Sequence, residues 1–181
     1  MRLLPVVLAV LPVLGCAEKM PPLTGFAPTT SSEALSSEPA PLHFTVKSFP
    51  GGEPHAIASD RGSVVLLDVW ATWCEPCRDA LPMYQDLAKH YASRGLKVYA
   101  LNVDEDVRAL PPFLAETKVT LPVLLDSKAD VADRVLRVRG MPTTLLVDRQ
   151  GRVRYVHEGF AEEFLMRYQT EIEELLSEPS P

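Results

Sequence analysis

Two cysteines set two residues apart, in the run Trp73-Cys74-Glu75-Pro76-Cys77, are the side chains of this sequence best suited to chemistry. Cysteines at this spacing can close a small disulfide across one turn of helix. The run follows an apolar stretch, Val64 to Val69, and precedes a helical pattern. A cysteine at such a junction lies beside the unpaired N–H groups and the positive end of the helix. Both favour the thiolate, so Cys74 reads as the nucleophile and Cys77 as the resolving thiol. A free cysteine titrates near ~8.5, which leaves only about 3% as thiolate at pH 7. Pro76 has no N–H to lose at an early helical position, and its ring presets φ for the turn. Two other uses of the pair are weaker. A structural zinc site would need two more Cys or His ligands at knuckle spacing, and none lies nearby. A permanent disulfide over so small a loop would stabilise little. The reading is redox chemistry carried by a Cys74–Cys77 disulfide, with no metal and no organic cofactor.

Asp68 stands inside the apolar stretch before the cysteines. An uncompensated charge buried there is expensive, so its carboxyl is expected to hold its proton to unusually high pH.

The elements that must position these residues alternate between strand and helix. Val64 to Val69 is a near-continuous apolar run, as in a strand buried on both faces. From Pro76 to about Arg94, apolar residues recur at Leu81, Tyr84, Leu87, Ala88 and Tyr91, the helical spacing, and Gly95 supplies a stop. Lys97 to Val103 is strand-like, Asp106 to Thr117 helical, and Leu121 to Leu125 extended. His43 to Val46 reads as an edge strand followed by a Pro50-Gly51-Gly52 turn, and Ala129 to Val138 as a short helix. Thr143 to Val147 and Val153 to His157 flank Asp148-Arg149-Gln150-Gly151 and predict a hairpin. Ala161 to Leu176 closes the chain as an amphipathic helix with Glu162, Glu163, Glu171, Glu173 and Glu174 on a solvated face. The alternation predicts an α/β sandwich with a mixed central sheet.

The chain has 181 residues, 46% of them hydrophobic, and a net charge of −6. That suits one domain with a packed core. It offers no basic footprint for nucleic acid. No apolar window is long enough to read as a membrane span. Arg2 and the apolar run Leu3 to Leu14 instead suit a signal peptide over residues 1–15. Val13-Leu14-Gly15-Cys16 resembles the bacterial lipobox, which implies cleavage before Cys16 and acylation of that cysteine. Two or more acyl chains, at about 0.8 kcal/mol per buried CH₂, make a stable membrane anchor. Residues 16–41 carry the lipidated cysteine and a Pro/Ser/Thr-rich tether, and residues 42–181 the folded domain.

Val65-Leu66-Leu67-Asp68-Val69-Trp70-Ala71-Thr72-Trp73-Cys74-Glu75-Pro76-Cys77 resembles the thioredoxin superfamily, and most closely its TlpA/ResA-type thiol-disulfide oxidoreductases. Gly140-Met141-Pro142-Thr143-Thr144 supports the resemblance independently, since it is similar to the cis-proline loop that lies beside the disulfide. The resemblance covers roughly residues 42 to 176. It implies a thioredoxin-like three-layer sandwich, with Leu121 to Val138 as the TlpA-type strand-helix insertion. It makes Pro142 cis and places Met141, Pro142, Trp73, Glu75 and Pro76 at the substrate groove. Pro82 matches a helix-kinking proline. Asp68 matches the acid/base group that serves the resolving cysteine. Ala80 departs from the pattern, standing where ResA-like members place a Glu. Trp70 and Trp73 read as wall and rim of the site or as plain core aromatics. His43, His55, His90 and His157 are scattered and read as surface or edge residues rather than ligands.

The function implied is reduction of protein disulfides outside the cytoplasm, at a bacterial membrane facing the periplasm or cell surface. A membrane thiol transporter of the DsbD/CcdA type would supply electrons, and cytochrome c maturation is a candidate setting. Run backwards, the same residues make a disulfide-forming oxidase. Three rivals are weighed against this. A thiol peroxidase expects P-x-x-x-T-x-x-C, absent around Cys74; a Sco-type copper module expects C-x-x-x-C; a non-catalytic lipoprotein would not need the complete Trp-Cys-Glu-Pro-Cys run.

Overall fold

The computed structural model describes residues 39–180. The signal segment, Cys16 and most of the tether lie outside the described residues. Seven strands form one mixed sheet: β1 (Thr45–Phe49), β2 (Pro54–Ala56), β3 (Val64–Trp70), β4 (Leu96–Asn102), β5 (Val123–Leu125), β6 (Thr143–Val147) and β7 (Val153–Glu158). Their order is β2-β1-β5-β4-β3-β6-β7. β3, β4 and β5 run parallel, and β6 lies antiparallel to β3 and to β7. The helices are α1 (Glu75–Tyr91), α2 (Leu110–Thr117) and α3 (Leu165–Ser177).

β3 sits near the middle of the sheet, and all its side chains are buried. Successive side chains alternate between faces. Val64, Leu66 and Trp70 enter the core beneath α1 and α3, while Val65, Leu67 and Val69 enter the core on the opposite face. Asp68, between Leu66 and Trp70 in this alternation, therefore points its carboxyl under α1. That helix buries Cys77, Ala80, Leu81, Tyr84, Leu87 and Tyr91. Each large apolar side chain removed from water in this way contributes roughly 1.5–3 kcal/mol. Beyond a single turn at Ala92–Arg94, Gly95 takes φ +98°, a left-handed conformation that an L side chain resists.

Several boundaries differ from the sequence reading. The N-terminal strand is Thr45–Phe49 rather than His43 to Val46, and it is not an edge, because β5 pairs with one side and β2 with the other. The true edge, β2, has an exposed-intermediate-exposed pattern that leaves no apolar signal, and its Pro54 is tolerated because an edge strand need not donate on both sides. The helix expected over Ala129 to Val138 is only a π-helical turn at Val131–Val135. Left-handed residues bound it, Ala129 at φ 54° and Arg137 at φ 56°. The Asp126 carboxylate accepts from the Ala132 N–H at 2.8 Å. A chain that turns left-handed at both ends cannot extend the helix. Asp106 lies before α2 and caps the turn at Val107–Ala109 by accepting from the Arg108 N–H.

Candidate active site

Cys74 and Cys77 form a disulfide, with sulfurs 2.00 Å apart and Cα atoms 5.3 Å apart. Cys74 is the N-cap of α1, and Pro76 stands within its first two positions. The loop that delivers Cys74 is tied by its backbone: the Cys74 N–H donates to Ala71 O and the Cys77 N–H to Cys74 O, each at 3.1 Å. Cys74 is 6% exposed and Cys77 is fully buried. Of the two, only Cys74 keeps any exposure, and it stands beside the positive end of the helix, which favours a nucleophile there.

Asp104 holds the same loop, a role that no motif marks. Its carboxylate accepts from the Thr72 N–H at 2.9 Å, the Thr72 hydroxyl at 3.0 Å and the Asn102 amide at 2.7 Å. The residues at the end of β4 thereby clamp the turn between β3 and α1.

Around the disulfide the structure separates exposed from buried expectations. Trp73 is 68% exposed, whereas Trp70 is fully buried against Phe113, with ring centroids 4.9 Å apart. Trp73 is thus the rim and Trp70 is core. Glu75 and Pro76 are exposed. The Met141–Pro142 bond is cis, as the resemblance implied. Met141 and Trp73 line one groove of about 290 Å³ with Val69, Val103, Ala132 and Val138. Ala80 is fully buried in the core, and Asp79 beside it is exposed.

Asp68 is fully buried, and burial pushes its carboxyl up to about 8, against a lowering by the hydrogen bond from Thr144. The Thr144 hydroxyl donates to Oδ1 at 3.0 Å. Oδ2 has no hydrogen-bond partner among the described residues. The Tyr84 hydroxyl lies 2.8 Å from Thr144 Oγ1 and 3.1 Å from the Tyr168 hydroxyl. Desolvation raises both tyrosines above the ordinary phenol range. Behind them His157 pairs with Glu171 at 2.6 Å. Glu171 is therefore not on the solvated face assigned to it from sequence, because α3 turns it toward the buried imidazole. Among the described residues no group of His, Cys, Asp and Glu could hold a metal, and no helix is long and apolar enough to cross a membrane.

The AhpC/TSA family pattern matches residues 37–156. The chain belongs to that family. It is 32% identical over 108 residues to the thiol-disulfide oxidoreductase ResA of Geobacillus kaustophilus, covering 60% of this chain and 62% of that one. To ResA of Bacillus subtilis it is 38% identical over 93 residues, 51% of each chain. These matches thus span about half to three-fifths of the curated relatives' length. The crystal structure of a DsbE-type thiol:disulfide interchange protein from Chlorobium tepidum superposes with a TM-score of 0.72 at 31% identity, covering 77% of this chain and 97% of that one. The fold is thioredoxin-like.

Proposed function

We propose that this protein is a thiol-disulfide oxidoreductase that reduces disulfides in protein substrates through the Cys74–Cys77 pair. The observation that carries this reading is the placement of that disulfide at the N-terminus of α1, with Cys74 slightly exposed and Cys77 fully buried. The names of its relatives, thiol-disulfide oxidoreductases, support thiol–disulfide exchange at this pair.

In the reduced protein the Cys74 thiolate attacks one sulfur of the substrate disulfide. A Cys74–substrate S–S bond forms, and the other substrate sulfur leaves as a thiolate. The cis Met141-Pro142 loop and Trp73 bound the groove in which the substrate segment lies. Cys77 then gives its proton to the Asp68 carboxylate and attacks Cys74 Sγ. The second substrate sulfur departs as a thiolate, and the Cys74–Cys77 disulfide closes. Two electrons have passed to the substrate. A carboxyl held near 8 exchanges protons with a thiol at little cost, because the two groups have similar affinities.

The wider setting is part of the same proposal. On this reading the Val13-Leu14-Gly15-Cys16 run, which resembles a lipobox, would anchor the domain by lipid on the outer side of a bacterial membrane. A membrane thiol transporter of the DsbD/CcdA type would return the pair to its dithiol, and cytochrome c maturation would supply clients. The test is to mix the reduced protein with a disulfide-bonded peptide and count released thiols. Stoichiometric release that Cys74→Ser abolishes supports the reading, and no release from the wild type refutes it.

A further inference from the structure

While Asp68 is ionised, the hydroxyls of Thr144, Tyr84 and Tyr168 form a chain whose hydrogens take one order. An ionised Asp68 can only accept, so Thr144 must donate its single hydroxyl hydrogen to Oδ1, at 3.0 Å. Thr144 Oγ1 then accepts from Tyr84 at 2.8 Å, and Tyr84 Oη accepts from Tyr168 at 3.1 Å. Three hydrogens from β6, α1 and α3 thus point along one line toward one carboxylate oxygen. Chains ordered in this way strengthen each bond through mutual polarisation. Among the described residues the chain has no acceptor beyond Tyr168. The His157 ring lies 4.7 Å from the Tyr168 ring, and His157 Nε2 is itself paired with Glu171. Reversal of the chain would turn all three hydroxyls and leave the Tyr168 hydrogen unbonded, whereas protonation at Oδ2 also leaves one hydrogen unbonded but turns none.

We infer that Tyr84 and Tyr168 are positioning residues that act through Thr144 to fix Oδ1 of Asp68 as a permanent acceptor, so that the proton exchanged during catalysis enters and leaves only at Oδ2. Oδ2 is the buried, unpartnered oxygen. Protonation there needs no hydroxyl to rotate, so the network is the same before and after transfer. The inference rests on the proposed role of Asp68 as proton acceptor for Cys77. Tyr84 and Cys77 share one face of α1, seven residues apart, which sets the clamp about two helical turns from the sulfur. The ionisable groups nearest Asp68 are Tyr84 from α1 and Tyr168 from α3, with Glu171 and His157 behind Tyr168; Cys77 of α1 is bonded to Cys74 in the oxidised protein. β6 contributes only the non-titrating Thr144.

The experiment follows the Asp68 carboxyl carbon by NMR in the oxidised full-length protein, where neither Cys74 nor Cys77 titrates. Removing a donor destabilises the ionised form, so Thr144→Val is expected to move the midpoint upward by roughly one pH unit. Tyr84→Phe is expected to move it the same way by about half a unit. In the Thr144→Val background, Tyr84→Phe is expected to add nothing. If Tyr84→Phe does not fold, Tyr168→Phe removes the far end of the chain and is expected to give a smaller upward shift. An unmoved or lowered midpoint in Tyr84→Phe, or an effect that survives in Thr144→Val, overturns the clamp. This readout needs no turnover, so a failed clamp is distinguishable from failure of the disulfide-reductase reading, which the peptide assay tests alone.

Discussion

Thr144 and Asp68 face each other across the β3–β6 pair, and the Thr144 hydroxyl donates to Asp68 Oδ1 at 3.0 Å. Thr144 lies two residues beyond cis Pro142, so one short segment, Gly140 to Thr144, both lines the groove beside Trp73 and touches the buried acid. The buried Asp68 carboxyl has a direct consequence for stability. Its affinity for a proton is raised from 3.8 to about 8 in the folded chain. Below about pH 4 folded and unfolded chains both hold the proton, and between about 4 and 8 only the folded one does. The folded state therefore loses stability as pH rises through that window, at up to about 1.4 kcal/mol per unit, and loses no more above it. In Asp68→Asn that loss should vanish. Denaturant titrations of the oxidised protein at several pH values should show the variant gaining on the wild type from pH 4 to 8. Parallel curves would remove the raised carboxyl from the account.

The unequal burial of the two sulfurs predicts unequal variants. Cys74→Ser should reduce disulfide-bonded peptide at the background rate. Cys77→Ser should instead accumulate a mixed disulfide through Cys74, visible by mass spectrometry of the intact protein. Trapping of substrate on Cys77 would reverse the assigned roles.

Trp73 is exposed, so its removal should barely change folding, within about 0.5 kcal/mol. As one wall of the groove beside Met141 it should matter for substrates long enough to fill that groove. Trp73→Ala should raise KM severalfold for a protein disulfide and leave reduction of a small disulfide unchanged. Equal losses on both substrates would place Trp73 outside the binding step.

Asp104 accepts three hydrogen bonds in a nearly closed environment, two of them from Thr72. Asp104→Ala leaves those donors unpaired and should cost roughly 1–3 kcal/mol. The turn that presents Cys74 should loosen as well, lowering the rate at saturating substrate. A stability loss with an unaltered rate would confine Asp104 to folding.

Cis Pro142 was legible only through the resemblance, whereas the cysteines and the strand–helix junction were legible in the sequence because each depends on local chain geometry, a helix N-terminus and a run of apolar residues. So was the burial of Asp68, since every neighbour in β3 is apolar. The Thr144–Tyr84–Tyr168 chain was not legible. Tyr84 reads only as an apolar-face residue of its helix, nothing singles out Tyr168, and only tertiary packing brings hydroxyls from β6, α1 and α3 together. Asp104 was missed for the same reason, its partner Thr72 lying on another element. The π-turn at Val131–Val135 was misread as a longer helix because helical spacing does not reveal left-handed residues such as Ala129 and Arg137.

The central claim is that the Cys74–Cys77 pair delivers electrons to protein disulfides, and the reduction potential of that pair tests it most directly. It is read by equilibrating the protein in thiol buffers with Cys16 replaced by Ser. A value near or below the ~−270 mV of thioredoxin is the predicted result, that of a reductase. A value near the ~−120 mV of DsbA would contradict the account and make the protein a donor of disulfides.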